Sequence, residues 1–175
     1  MNRRMKLIEM MRMQDRINQQ IDQNWVERQR EWYRALWIEC GELMDHYGGW
    51  KWWKQDELNM EQVLLEIVDI WHFGLSMLLM SGPDINKIAD RVNSDWEQAV
   101  DITDFHQAVE KLARVALQKK EFSVSSFHEV LNVCNFNFED LYRSYIGKNV
   151  LNRFRQDNGY KTGSYVKNWN GLEDN

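Results

Sequence analysis

Residues 63–80 read VLLEIVDIWHFGLSMLLM. As a helix this stretch is apolar around most of its circumference, so it belongs in an interior rather than on a surface. Glu66 and Asp69 lie three residues apart and therefore point to one side. Their neighbours Leu64, Leu65, Ile67, Val68, Ile70, Trp71 and Phe73 leave little exposed face for them. A lone buried carboxylate is costly, and two side by side repel each other. Something positive must compensate them. The same spacing recurs in ECGE at residues 39–42, where Glu39 and Glu42 alone would read as a solvated face. Two such pairs on facing helices form a natural cage for divalent cations that prefer oxygen ligands. The 63–80 stretch is also long enough to cross a membrane, but Glu66, Asp69 and His72 within it argue for the core helix of a soluble protein.

The rest of the composition agrees. At 175 residues the chain has the length of one domain and can bury a sizeable core. Nine Trp and nine Met stand against a single Pro, which suits long helices. Few segments alternate at period two, so almost no sheet is expected. The predicted fold is an all-α bundle of about six to seven helices, with a four-carboxylate metal site between two core helices. A net charge of −5 disfavours general nucleic-acid binding. Cys40 and Cys134 lie in apolar helical patterns and read as reduced core residues of an intracellular protein. Met1 to Met5 is basic but no continuous apolar run follows it, so it is not a signal peptide, and a cytoplasmic location is expected.

Periodicity and capping residues place the other helices. A first helix spans 3–22, with Leu7, Met10, Ile17 and Ile21 on one face. Gln14 falls on that stripe and Asn18 lies one turn on. Each amide needs hydrogen-bond partners, either in the core or on the edge of a ligand. A second helix spans about 25–46 and ends at Gly48 and Gly49. WKWWK follows at 50–54. It reads either as a core plug with snorkelling Lys51 and Lys54, or as lysines for phosphate and a Trp52 that stacks on a base. After the 60–80 helix, Asp84 starts a fourth helix to about Val100. Thr103 caps a fifth, Ser123 a sixth, and Asn137 a last long one with Glu139 and Asp140 in its first turn. Lys148, Asn152 and Arg155 share a face of that last helix. His72, one turn beyond Asp69, reads first as a structural core histidine. The polar tail beyond residue 155 carries Tyr160, Tyr165 and Trp169, which suggest that it docks.

ECGELMDHY, WKWWK, EIVDIWHF, GKNVLNRFRQDNGYKTGSY and WNGLEDN together resemble the dimeric dUTPase family of the all-α nucleoside triphosphate pyrophosphatase superfamily. The match covers residues 5–81 and 138–175. The acid pairs are shared across the superfamily, whereas the C-terminal motif is more specific to the dimeric dUTPases. Residues 84–122 carry no matching motif, and the chain has the size of a bacteriophage version.

The resemblance implies one pyrophosphatase domain over 1–175, with 155–175 as a phosphate-binding tail. It implies Mg²⁺-dependent hydrolysis of dUTP to dUMP and pyrophosphate, by attack at the β-phosphorus, with two or more ions. Glu39, Glu42, Glu66 and Asp69 match the metal ligands, and Glu39 is the candidate to orient or deprotonate water. Lys148, Asn152, Arg155, Tyr160 and Lys161 match sugar and phosphate contacts. Lys51 and Lys54 join them as phosphate candidates on charge and position. Gln14, Asn18, Trp52 and His72 fall where family members surround the uracil. The residues are compatible with the charge of a triphosphate, which four acids can meet only through cations. A homodimer is expected, by analogy and from the Trp and Met excess. Two alternatives stay open: a sister pyrophosphatase for dCTP or a damaged nucleotide, and a non-catalytic helical module that binds a regulatory protein.

Overall fold

The structure is a computed structural model that describes residues 1–55 and 57–174. Seven helices follow in order: α1 (Arg3–Ile21), α2 (Trp32–Tyr47), α3 (Met60–Met80), α4 (Ile85–Trp96), α5 (Phe105–Lys119), α6 (Val124–Val133) and α7 (Phe138–Asp157). A single 3₁₀ turn (Tyr160–Thr162) and a two-residue antiparallel hairpin, β1 (Asn168–Trp169) with β2 (Leu172–Glu173), close the chain. The all-α expectation holds.

The apolar run does what its composition demands. Val63, Ile67, Val68, Ile70, Trp71 and Leu75 of α3 are fully buried. The helix packs lengthwise on α2, with α1 and α7 also against it. α3 is the one helix among the described residues long and apolar enough to cross a membrane, and most of it is covered by protein. Beyond its midpoint sits an aromatic cluster. Trp71 stacks on Phe127 at 4.9 Å and meets Trp96 and Phe122 edge-on at 6.1 and 5.7 Å. Gly74 is what lets Phe122 approach, since a Cβ there would lie 2.6 Å from its ring.

Side-chain caps fix the starts of most helices. Asn2, Asn59, Asp84 and Ser123 each accept from a backbone N–H of the first turn. Asn137 forms a full capping box with Asp140. The cap of α5 is Asp104 rather than Thr103, its carboxylate accepting from the Gln107 N–H at 2.9 Å.

Two boundaries differ from the sequence reading because of distant contacts. α2 begins at Trp32, not near residue 25. Trp25 is buried, and its indole N–H donates to Asp15 at 3.1 Å. Asp22 holds Arg28 at 2.7 Å and Arg30 at 3.3 Å, and Gln29 takes a positive φ of 47°. These ties fold 22–31 back on α1 as turns. α4 ends at Trp96 rather than Val100. The Val100 N–H leaves the helical pattern to donate to the buried carboxylate of Glu129 at 3.1 Å, and Lys111 neutralises that carboxylate at 2.7 Å.

Gly74→Ala is expected to destabilise the fold by about 1–3 kcal/mol, because the Phe122 ring is wedged between Trp71 and Phe127 and has nowhere to retreat. Urea unfolding of the variant against the parent measures this.

Candidate metal centre

The packing of α2 on α3 brings three of the four expected acids to one place, with Asp69 outside the cluster. Carboxylate oxygens of Glu39, Glu42 and Glu66 all lie within 4.8 Å of one another. Glu66 is buried, Glu39 half-buried and Glu42 exposed, so the cluster opens toward solvent on the α2 side. Asp69, one turn along α3, is mostly covered and already has a cation. Lys148 of α7 places its Nζ 3.1 Å from Asp69, and this lysine is itself buried.

The charge balance is poor by design of the sequence. Burial pushes Glu39 up to about 8, with further contributions from Asp69 and Glu42. Burial and then Asp69 also raise Glu66, and a hydrogen bond ties the two carboxyls together. A carboxylate cluster that cannot ionise fully alone is suited to a hard divalent cation with oxygen ligands. The donor set fits such an ion, and Glu39, Glu42 and Glu66 are the residues that would hold it.

His46 was missed by the sequence reading. Its Nε2 lies 3.5 Å from Glu66, at the open edge of the cluster. The signal was available: Glu39, Glu42 and His46 are spaced three and four apart, on one helical face.

The four residues placed around a base separate into two groups. Gln14, Asn18 and His72 meet in the interior between α1, α3 and α7. Gln14 donates to Asn18 and to Ser76, each at 3.1 Å, and accepts from the Tyr145 hydroxyl at 3.0 Å. Asn18 donates to Ser76 at 2.9 Å, and Asn149 donates to Tyr145 at 3.2 Å. His72 stacks on Tyr145 at 4.4 Å. Its Nδ1 lies 2.8 Å from the Val68 carbonyl, which makes Nδ1 the protonated nitrogen and Nε2 an acceptor. Burial pushes its pKa down to about 4, so the ring is neutral at pH 7. Nε2 is buried and has no hydrogen-bond partner among the described residues. Trp52 stands apart from this group in surroundings, with 86% of its surface exposed. With Trp50 and Trp53 it forms an exposed edge-to-face cluster, so the core-plug reading of WKWWK does not hold.

The cationic residues divide similarly. Lys51 pairs with Asp45 and lies over the Trp50 ring at 4.7 Å. Lys54 is exposed in the same loop. Lys148, Asn152 and Arg155 share one face of α7 as expected, but Lys148 is engaged with Asp69, and Arg155 with Asp174 at 3.1 Å. Tyr160 is part-exposed under Arg155 and Lys167, while Lys161 donates to the Ile21 carbonyl at the end of α1. A groove of about 1300 Å³ runs elsewhere, between α1 and α7, past Met5, Ile8, Met13, Arg16, Val150 and Arg153. It contains none of the carboxylates.

Two comparisons with known proteins bear on this arrangement. The model of a family described as dUTPase matches residues 6–160. No curated protein matches the chain.

Glu39 gives the metal-free protein a pH signature. Its folded pKa of about 8 exceeds its ordinary 4.5, so its contribution to stability is complete below about pH 4.5 and is lost as pH rises through 8. Chemical denaturation in chelator is therefore expected to show falling stability from pH 5 to 8. Adding a divalent cation should reverse the fall, and Glu39→Gln should flatten it.

Proposed function

The chain belongs to the all-α dUTPase family, and from that premise we propose that it hydrolyses dUTP to dUMP and pyrophosphate with Mg²⁺ at the Glu39, Glu42 and Glu66 cluster. The observation that carries this reading is the convergence of three carboxylates from two helices at one half-buried point. The assignment of the whole chain as a single catalytic domain rests on the same family match.

Mg²⁺ fits the set because it takes oxygen ligands, and held by Glu39, Glu42 and Glu66 it would supply positive charge to the polyphosphate and acidity to the attacking water. Two or more ions are proposed, and Asp69, now paired with Lys148, would be a further ligand. Glu39 is the proposed base. It lies half-buried at the mouth rather than the floor of the cluster, where a water could reach it. Glu66 is anchored on the buried helix and holds position. Lys148, Asn152 and Arg155 lie along α7 and are proposed to take up negative charge and the sugar hydroxyl, with Tyr160 and Lys161 beyond them. Lys51 and Lys54, in the loop after α2, are proposed as further phosphate contacts.

Selection of uracil is proposed to rest on His72. Its neutral ring presents an acceptor at Nε2. Uracil offers a donor at N3, whereas cytosine offers a lone pair there and would leave two acceptors facing each other. Gln14 and Asn18 support the pocket through Ser76 and Tyr145. Trp52 is proposed to cover the base after movement of its loop.

Turnover of the eight common nucleoside triphosphates and dUTP, with Mg²⁺ or with chelator, tests the reading. dUTP is expected to be preferred and turnover to need the cation; preference for dCTP overturns the base assignment. Glu66→Gln should abolish turnover, a loss beyond the roughly tenfold to hundredfold typical of outer partners of a metal. Its melting temperature should not fall, because a repulsive charge has been removed.

A homodimer is proposed on the groove between α1 and α7 and the exposed apolar Met5, Val150 and Phe154. Light scattering at micromolar concentration should give twice the mass of the chain; a monomer overturns it.

A further inference from the structure

Arg155 is the cation of the last turn of α7, yet it is only 5% exposed. A free arginine at a helix end would wave in water, so something holds this one. That something is Asp174, 19 residues later. The carboxylate lies along one edge of the guanidinium, with Nε donating to Oδ2 at 3.4 Å and Nη2 to Oδ1 at 3.1 Å. Nη2 also donates to the Asp174 backbone carbonyl. Nη1 is left on the other edge, where it reaches Asn152 at 3.4 Å. Nη1 is thus turned back along α7 toward Asn152 and Lys148. Lys148 and Arg155 are seven positions apart on the helix, about 10 Å.

Asp174 is itself built into place. Asn170 and Gly171 take positive φ values of 54° and 85°, which close the β1–β2 hairpin with the twist that favours such turns. The Asp174 N–H donates to the Lys167 carbonyl at 3.0 Å, and the Tyr165 hydroxyl donates to Asp174 Oδ2. The hairpin therefore fixes the carboxylate from two sides, and the carboxylate fixes the guanidinium. Ordering a free arginine costs rotamer entropy, and here most of that ordering is already done.

We propose that Asp174 is a positioning residue that locks the Nε–Nη2 edge of Arg155 so that its Nη1 edge, beside Asn152, is presented to a substrate phosphate. This rests on the reading of Arg155 as a phosphate contact. The bare alternative is an ion pair that only pins the tail.

Full-length parent, Asp174→Asn, Arg155→Ala and the double variant separate the two. Steady-state hydrolysis of dUTP is measured beside calorimetric binding of pyrophosphate, with Mg²⁺ in both. A misaimed phosphate contact should lower kcat/KM in Asp174→Asn by roughly tenfold to a hundredfold. Pyrophosphate affinity should drop with it, and the double variant should be little worse than Arg155→Ala alone. Unchanged affinity and turnover in Asp174→Asn, with hydrogen exchange showing a loosened tail, means that the pair only pins the tail and overturns the proposal. Effects that multiply in the double variant overturn it too. Absence of dUTP turnover in the parent refutes the function reading, while the pyrophosphate series still decides on Asp174.

Discussion

Gathering negative charge where little water reaches it is the constraint on which this molecule turns. α3 can form the centre of the bundle only because it is apolar nearly throughout, and that same apolarity makes Glu66 and Asp69 costly. The chain answers the two acids differently. Asp69 receives the ammonium of Lys148 from a helix far along the sequence. Glu66 is pushed against Glu39 and is left with a shared hydrogen bond and a raised proton affinity. The second arrangement is unfavourable without a partner from outside, and an unfavourable arrangement that persists in a packed core points to a ligand.

Much of this could be read from the chain itself. A run of apolar residues broken by two acids at helical spacing defines both a core helix and a site, with no knowledge of what packs on it. Capping residues were equally informative at Asp84, Ser123 and Asn137. Failures came where a distant residue overrode local preference. Nothing near Val100 says that its N–H will go to Glu129, and nothing near Trp25 says that Asp15 will claim its indole. The same holds for the cations. Spacing placed Lys148 and Arg155 on one face, but it could not show that acids from α3 and from the end of the chain already hold them. His46 was within reach and was overlooked, because a histidine at a helix end reads first as a partner for the dipole.

The interior amides form a second system with its own logic. Gln14, Asn18, Ser76, Tyr145 and Asn149 satisfy one another from three helices. Such a network orders α1 and α7 against α3 more tightly than apolar packing alone, since each member has few alternative orientations. The Val68 carbonyl keeps the nearby His72 ring in one tautomer, and Tyr145 of the network stacks against it. α3 thus contributes to two systems along one side, Glu66 and Asp69 to the acids and, one to two turns further on, His72 and Ser76 to the amide network.

The Lys148–Asp69 pair has a consequence for how the protein comes into being. Small zinc domains stay unfolded until an ion arrives, because binding and folding are a single event. Here an internal ammonium neutralises one of the most awkward acids in advance. A newly made chain therefore carries its own counter-charge for this acid, independent of any inorganic supply.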